Sequence, residues 1–300
     1  MSLAAIHSLR RFALTVPDLA QAADFYGCFG LDVAPLDGGG LSLRTAAHGR
    51  EAARVYAGPR KRLHHLSFGA FADDVERLAV QAREAGAREV ESPDGEPGRW
   101  FVDPDERLFH LTVDENRSPK ARVTDPLIVH AGPNAAPTRD LEVRLGRLGH
   151  VLLLTPDVGR VASFYTRALG LRISDSTDGL VSFLHHPHGS DHHIVAFVQS
   201  TVPAFHHASF EVPTIDAIGV GAIRMAGHGY KEGWGLGRHY AGSNFFHYVR
   251  DPWGSFAEYF CDIDYIPAGT PWTPRQVTAE YSLRAWGPDV PDYFLANSEA

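Results

Sequence analysis

An internal repeat constrains this chain more than any other feature. RFALTVPDLAQAADFYGCFGLDV (11–33) reads against HVLLLTPDVGRVASFYTRALGLRI (150–173). Each predicts a strand, a Pro-Asp turn into a helix, Phe-Tyr near the helix end, and a Gly-Leu exit. Val158, Val161, Ala162, Tyr165 and Leu169 recur at helical spacing, as do Leu19, Ala22, Ala23 and Tyr26. LHHLSF (63–68) then matches FHHASF (205–210), each ahead of a second helix-like stretch. FVDPDERLFHLTV (101–113) matches YVRDPWGSFAEYF (248–260), where Asp-Pro opens a turn into an alternating strand.

The repeat sets the expected organisation. The fold class is α+β: two tandem copies, each of paired βαβββ modules, forming an open, curved mixed sheet. The copies cover 1–115 and 145–263, with their repeat cores at roughly 5–115 and 145–263. The segment 116–144, rich in Pro, Asn and charge, reads as a linker. The stretch 264–300, with Pro267, Pro271, Pro274, Pro288, Pro291, Trp272 and Trp286, reads as an irregular arm packed on the body or on a partner subunit.

Composition removes several classes of function. Apolar residues make up 44% of the 300 and the formal charge is -8, so a core is available and a basic nucleic-acid face is not expected. No run of about 18 apolar residues occurs, so no membrane span is expected. The start, MSLAAIHSLRRFALTVPD, runs directly into a strand-like segment without the pattern of a signal peptide. Cys28 and Cys261 make neither a disulfide framework nor a Cys-rich zinc site, and a cytoplasmic location fits.

Histidine is the unusual residue. There are 17, and eleven fall between His150 and His247. His150 lies early in the first strand of the second copy, His207 at the equivalent point of its next module, and Glu258 on its last strand. Alternation puts His207, Ser209 and Glu211 on one face of FHHASFEV, and His206, Ala208 and Phe210 on the other. Ala208 and Phe210 suit packing, so His207 is the better candidate for the inside of the sheet, with His206 as the weaker rival. Two imidazoles and a carboxylate are the ligand set of a facial triad that leaves positions open for substrate and O2 on Fe(II). Either single residue alone would read as an ordinary strand residue; the three at repeat-equivalent positions carry the case. The first copy supplies a control: Arg11 aligns with His150, His65 with His207 and His110 with Glu258. Arg11 stays protonated and cannot ligate, so one metal per chain is expected.

With these residues in view, the second copy resembles the type I extradiol ring-cleaving dioxygenases of the vicinal oxygen chelate superfamily. The pattern runs Arg238-His239, eight residues, then Tyr248-Val-Arg-Asp251-Pro252-Trp-Gly254-Ser-Phe-Ala-Glu258. The resemblance implies that His150, His207 and Glu258 hold Fe(II), with Mn(II) as the other acceptable ion. It implies that His193, in HIVAF, is the active-site base, and that Tyr248 and His239 flank the substrate hydroxyl. His192 is the rival for His193. The substrate implied is a small aromatic diol of catechol type with O2 as co-substrate, and relatives imply a homo-oligomer. His247 departs from the pattern, which usually has an apolar residue there; alternation turns it away from Tyr248. His185, His186 and His188, in HHPHGSDHH (185–193), read as loop residues. Trp234, Phe246, Phe256 and Phe260 are candidates for an aromatic pocket or for core. A glyoxalase-type metal isomerase, or a small-molecule-binding resistance protein on the same scaffold, is the competing reading. The former is expected to use a more carboxylate-rich site, the latter two symmetric sites.

Overall fold

The computed structural model describes residues 3–122, 143–281 and 283–300. Most of the expected linker, 123–142, lies outside the described residues.

The first half contains two βαβββ modules. One is β1 (Ser8–Val16), α1 (Leu19–Phe29), β2 (Leu31–Pro35), β3 (Leu41–Thr45) and β4 (Glu51–Ala57). The other is β5 (Arg62–Ala70), α2 (Val75–Ala85), β6 (Arg88–Val90), β7 (Arg99–Val102) and β8 (Leu108–Val113). The second half repeats the plan with β9 (Leu148–Thr155), α3 (Val158–Leu169), β10 (Arg172–Thr177), β11 (Val181–His185), the short β12 (Ser190–Asp191) and β13 (Val195–Gln199). Its second module is β14 (Ala204–Glu211), α4 (Ile215–Gly227), β15 (Gly233–Arg238), β16 (Phe245–Arg250) and β17 (Phe256–Cys261). The arm adds β18 (Tyr265–Ile266) and β19 (Arg275–Gln276).

The Pro-Asp and Gly-Leu signals act as expected. The Asp18 carboxylate accepts from the backbone N–H groups of Ala20 and Gln21 at 2.8 and 3.0 Å, and Asp157 accepts from that of Arg160 at 2.9 Å. Gly30 and Gly170 end α1 and α3 with φ of 112° and 67°, a left-handed conformation in which a side chain is strained. At Gly170 a Cβ would also meet the Ala4 carbonyl, so the chain's start packs against this turn.

Each half forms one mixed sheet. The first has the order β2-β3-β4-β1-β5-β8-β7-β6, the second β15-β16-β17-β14-β9-β13-β11-β10-β19. In each the two modules join at their first strands, β1 with β5 and β9 with β14, antiparallel. The helices pack across the halves, α1 on α4 and α2 on α3. Phe29 stacks on Tyr259 with centroids 4.0 Å apart, and the Tyr259 hydroxyl donates to the Phe29 carbonyl at 2.7 Å. Burying each such ring stabilises the docked halves by roughly 1.5–3 kcal/mol, and one continuous apolar core runs through both. This is the expected α+β architecture.

The register explains why the copies correspond. Arg11 pairs with Ser67 and His110 with Ser67 on either side of β5; His150 pairs with Ser209 and Glu258 with Ser209 on either side of β14. Residues on three adjacent strands at one level of a sheet share a face, so both halves bring three side chains to one point.

Candidate metal centre

The point in the second half lies at the centre of its sheet. His150 from β9, His207 from β14 and Glu258 from β17 are all buried, and one ligand atom from each falls within 4.8 Å of the others. Glu258 Oε2 is 3.2 Å from His150 Nε2 and 3.5 Å from His207 Nε2. His207 Nε2 is buried without a hydrogen-bond partner. A buried imidazole nitrogen aimed at a carboxylate and a second imidazole, yet bonded to neither, fits a cation between them. Asn244, which the sequence reading missed, donates from Nδ2 to Glu258 Oε1 at 3.4 Å. It orients the carboxylate from outside the three-residue cluster.

The preceding histidine sets the tautomer of His207. His206 Nε2 donates to the Phe294 carbonyl at 2.6 Å, because a carbonyl only accepts. The remaining nitrogen of a neutral His206 must then accept, and its Nδ1 lies 2.8 Å from His207 Nδ1. His207 therefore carries its proton on Nδ1 and presents a bare Nε2. His206 is thus no rival ligand: its Nε2 is engaged by the arm.

Electrostatics support the same assignment. Burial holds His207 and His193 well below the usual imidazole range, and neighbouring histidines add to it for His193, so both rings are neutral at pH 7. Burial works against ionisation of Glu258, but the hydrogen bond from His150 and the surrounding imidazoles prevail and hold its carboxyl well below the usual range. A neutral His207 and an ionised Glu258 are the protonation states that ligation requires of these two residues. Tyr248 is raised well above the usual phenol range, first by burial and then by the Glu258 charge, so its hydroxyl keeps its proton.

The predicted residues converge on one cavity beside this cluster. His150, His193, His207, His239 and Tyr248 line it. His193 stacks obliquely on His150 with centroids 4.2 Å apart, and Tyr248 meets His207 at 5.0 Å. His239 Nε2 lies 3.0 Å from the Tyr248 hydroxyl and 3.7 Å from Glu258 Oε1. His239 Nδ1 donates to the Leu283 carbonyl, so in its neutral form Nε2 accepts from Tyr248. His192, the rival of His193, does not line the cavity. Of the four candidate aromatic residues, Trp234 lines it. Phe246 instead stacks on His239 at 4.0 Å, Phe260 touches His150 at 5.5 Å, and Phe256 packs on His206 and Phe294.

The arm closes the cavity. Leu283, Phe294 and Leu295 form one wall, and Leu152, Val181, Phe183, Val198 and Ala241 form much of the rest. The arm is anchored to the first half by a buried ion pair, Lys61 Nζ to Glu299 Oε1 at 2.7 Å. Lys61 also donates to the Phe205 carbonyl at 2.9 Å and to the Ser255 hydroxyl. Sequence reasoning gave no signal for this pair, whose members are 238 positions apart. The arm therefore packs on the body of its own chain.

One expectation holds in part: His186 and His188 lie in the loop after β11, but His185 is the last residue of that strand. His185 and His186 are both buried, His185 against the Ser174 hydroxyl at 2.7 Å and His186 against that of Ser118 at 2.6 Å. Each takes a hydroxyl partner from a distant segment, which the local polarity of HHPHGSDHH conceals.

The matching point in the first half is filled by charge. Arg11 is fully buried and pairs with Glu51 at 3.0 Å and with Glu96. Arg54 reaches both carboxylates at 3.1 Å. His110 is stacked on Trp100 at 4.3 Å, with Nε2 donating to the Pro97 carbonyl at 3.0 Å. Guanidinium occupies the position that imidazole takes in the second half.

Residues 147–259 match the model of the Glyoxalase/Bleomycin resistance protein/Dioxygenase superfamily. Metapyrocatechase 2 from Cupriavidus necator is 47% identical over 302 residues, spanning 99% of this chain and 93% of that protein. The chain belongs to the type I extradiol ring-cleaving dioxygenases. Two solved structures share the fold of this dioxygenase. An extradiol ring-cleaving dioxygenase from B. fuscum superposes with a TM-score of 0.78 at 21% identity, over 99% of this chain and 83% of that one. The Mn(II)-bound glyoxalase from Novosphingobium aromaticivorans gives 0.77 at 22%, over 97% and 94%. These two speak for the scaffold alone. Membership makes this chain an oxidoreductase with a catalytic metal ion, and it assigns the chemistry to extradiol cleavage in aromatic catabolism.

Proposed function

We propose that this dioxygenase cleaves an uncharged, catechol-type ring at a mononuclear Fe(II) held by His150, His207 and Glu258. The convergence of three ligand atoms from three central strands, on a nitrogen left without a partner, carries the reading. Mn(II) accepts the same donors, and metal analysis of the active protein decides between the two. Bound there, the metal supplies a Lewis acid for the two diol oxygens and a redox centre for O2.

The protein's own groups divide the remaining work. His193, neutral and facing the cavity, takes a proton from a substrate hydroxyl. The Tyr248 hydroxyl donates a hydrogen bond to a diol oxygen as charge builds on it. Tyr248 has one proton to give: a neutral His239 holds it at Nε2, and a charged His239 donates through Nε2 to the Tyr248 oxygen and frees that proton for the diol. The apolar wall formed with the arm excludes water. Among the described residues no lysine or arginine lines this cavity, which suits a ring without a carboxylate.

The metapyrocatechase relative's name supports a catechol-type substrate. A glyoxalase-type isomerase or a binding protein is the competing reading, favoured only by the shared scaffold. The single carboxylate ligand and the buried Arg11 in the other half speak against both. Neither Cys28 nor Cys261 is in a disulfide, which suits a reducing cytoplasm, and among the described residues no helix is long and apolar enough to cross a membrane. The family resemblance makes a homo-oligomer of this chain the expected assembly. Replacing His207 with Ala tests the metal assignment, by iron content, and replacing His193 with Ala tests the base, by turnover at unchanged iron content.

A further inference from the structure

Behind His193, on the side away from the cavity, stands a chain of buried polar groups. Asp175 on β10 is fully buried, and its Oδ2 lies 3.1 Å from His192 Nε2. His192 Nδ1 lies 3.1 Å from His193 Nδ1. Arg275, on β19 of the arm, completes the chain: its backbone N–H donates to Asp175 Oδ1 at 2.9 Å and its Nη2 to Oδ2 at 2.6 Å. The arrangement is rigid. β10 and β19 pair in parallel with Asp175 opposite Arg275, the His192 N–H donates to the Asp264 carbonyl at 2.6 Å, and the Ser174 hydroxyl donates to the His192 carbonyl.

We propose that Asp175 and His192 are positioning residues that hold His193 in the tautomer with a bare Nε2 facing the cavity. The inference rests on the reading of His193 as the base. An ionised carboxylate only accepts, so His192 Nε2 carries the proton facing Asp175. A neutral His192 then has its lone pair on Nδ1 and accepts from His193 Nδ1–H. One proton remains per neutral ring, so Nε2 of His193 has none. Arg275 keeps the carboxylate ionised: burial favours its neutral form, yet the hydrogen bonds from His192 and Arg275 bring it down to about 2. The same logic operates between the Phe294 carbonyl, His206 and His207. In both His-His pairs the first ring fixes the second, and the acceptor or its counter-charge comes from the arm.

Asp175→Asn breaks this chain with little change of shape. The Arg275 donors take the one remaining acceptor oxygen, and the amide NH2 faces His192 Nε2. His192 must then accept there, carry its proton on Nδ1 and donate to His193 Nδ1. The His193 proton is driven to Nε2, and the base is lost.

The test uses the iron-loaded full chain. Asp175→Asn is expected to lower kcat for catechol about 10- to 100-fold, the usual range for groups that orient a site from behind. KM is expected to stay within about twofold and iron content to be unchanged, and Asp175→Glu should recover part of the activity. In a His193→Ala background, Asp175→Asn should add nothing. Imidazole 15N shifts of the full chain loaded with diamagnetic Zn(II) supply a readout apart from turnover. The His193 signals, assigned by their loss in His193→Gln, should show a protonated Nδ1 in the wild type and a protonated Nε2 in Asp175→Asn. Wild-type kcat in Asp175→Asn, an undiminished effect of that change without His193, or a protonated Nε2 in the wild type would each overturn the inference. A fully active His193→Ala would instead overturn the base reading on which it stands.

Discussion

The His150 imidazole stands 3.2 Å from the Glu258 carboxylate, although 108 positions separate them in the chain. The cause is β14: His150 on β9 and Glu258 on β17 both pair with Ser209, from opposite sides. With His207 two residues along the same strand, a shared face brings together three groups that could hold a metal ion. Removal of any member leaves two donors. His150→Ala, His207→Ala and Glu258→Ala are each expected to weaken metal retention by more than about 100-fold, beyond the 10- to 100-fold typical of outer partners. Metal analysis after gel filtration checks this, and retention of one iron per chain in any of the three would contradict the assignment.

The first half predicts the opposite response. Arg11 is buried against Glu51 and Glu96, and its truncation breaks both buried pairs and leaves the two carboxylates to Arg54 and Arg10 nearer the surface. Arg11→Ala is expected to cost about 3–5 kcal/mol of stability while metal content stays at one per chain. Denaturant unfolding and metal analysis on the same sample separate the two effects.

The arm gives a third prediction. The cavity has a volume of about 40 Å³, little more than one water molecule's share of the liquid at roughly 30 Å³. A substituted benzene ring is expected to need displacement of the cavity wall, to which the arm contributes Phe294 and Leu295. Glu299→Ala leaves the Lys61 ammonium buried without its partner, which costs about 3–5 kcal/mol where the rest of the site holds. Hydrogen exchange is expected to speed up across 290–300 more than across β14. Equal protection in wild type and variant would show that the ion pair does not hold the arm.

Acid should destabilise this protein from pH 6.5 downward. His110, His185 and His247 are brought down to about 4, and His65 to about 2, in every case first by burial. Each therefore has a folded value below its unfolded value of 6.5. Between those values the unfolded chain binds more protons, so stability is complete above 6.5 and lost as pH falls toward 4. Each group contributes a slope approaching ~1.4 kcal/mol per pH unit. Urea midpoints from pH 7.5 to 4.5 read this out, and a flat profile would contradict the burial of these rings.

The repeat makes much of the fold legible in the sequence. Pro-Asp and Gly-Leu mark the helix ends chemically, and alternation on β14 assigns Ala208 and Phe210 to the packed core; it does not separate the two histidines, because the pairing with β9 is irregular between Phe205 and His207 and His206 lines the cavity beside His207. The placement of Arg11 against His150 is a register fact that two aligned copies expose. What stayed hidden depends on contacts between distant segments. Nothing in the sequence near Glu299 points to Lys61, and nothing near Phe294 shows that its carbonyl takes a proton from His206. The burial of His185 and His186 is equally hidden, because their partners, Ser174 and Ser118, lie in other segments of the chain. Periodicity reports which face a residue takes, not which remote group meets it there.

Turnover tests the central claim most directly. The full chain, loaded anaerobically with Fe(II) and mixed with catechol, should give the yellow ring-opened product once O2 is admitted. A ring-carboxylated catechol should react at least about 100-fold more slowly, since its charge would be buried unpaired in the apolar cavity. Iron bound at one per chain with catechol and its uncharged substituted forms unchanged would contradict the account.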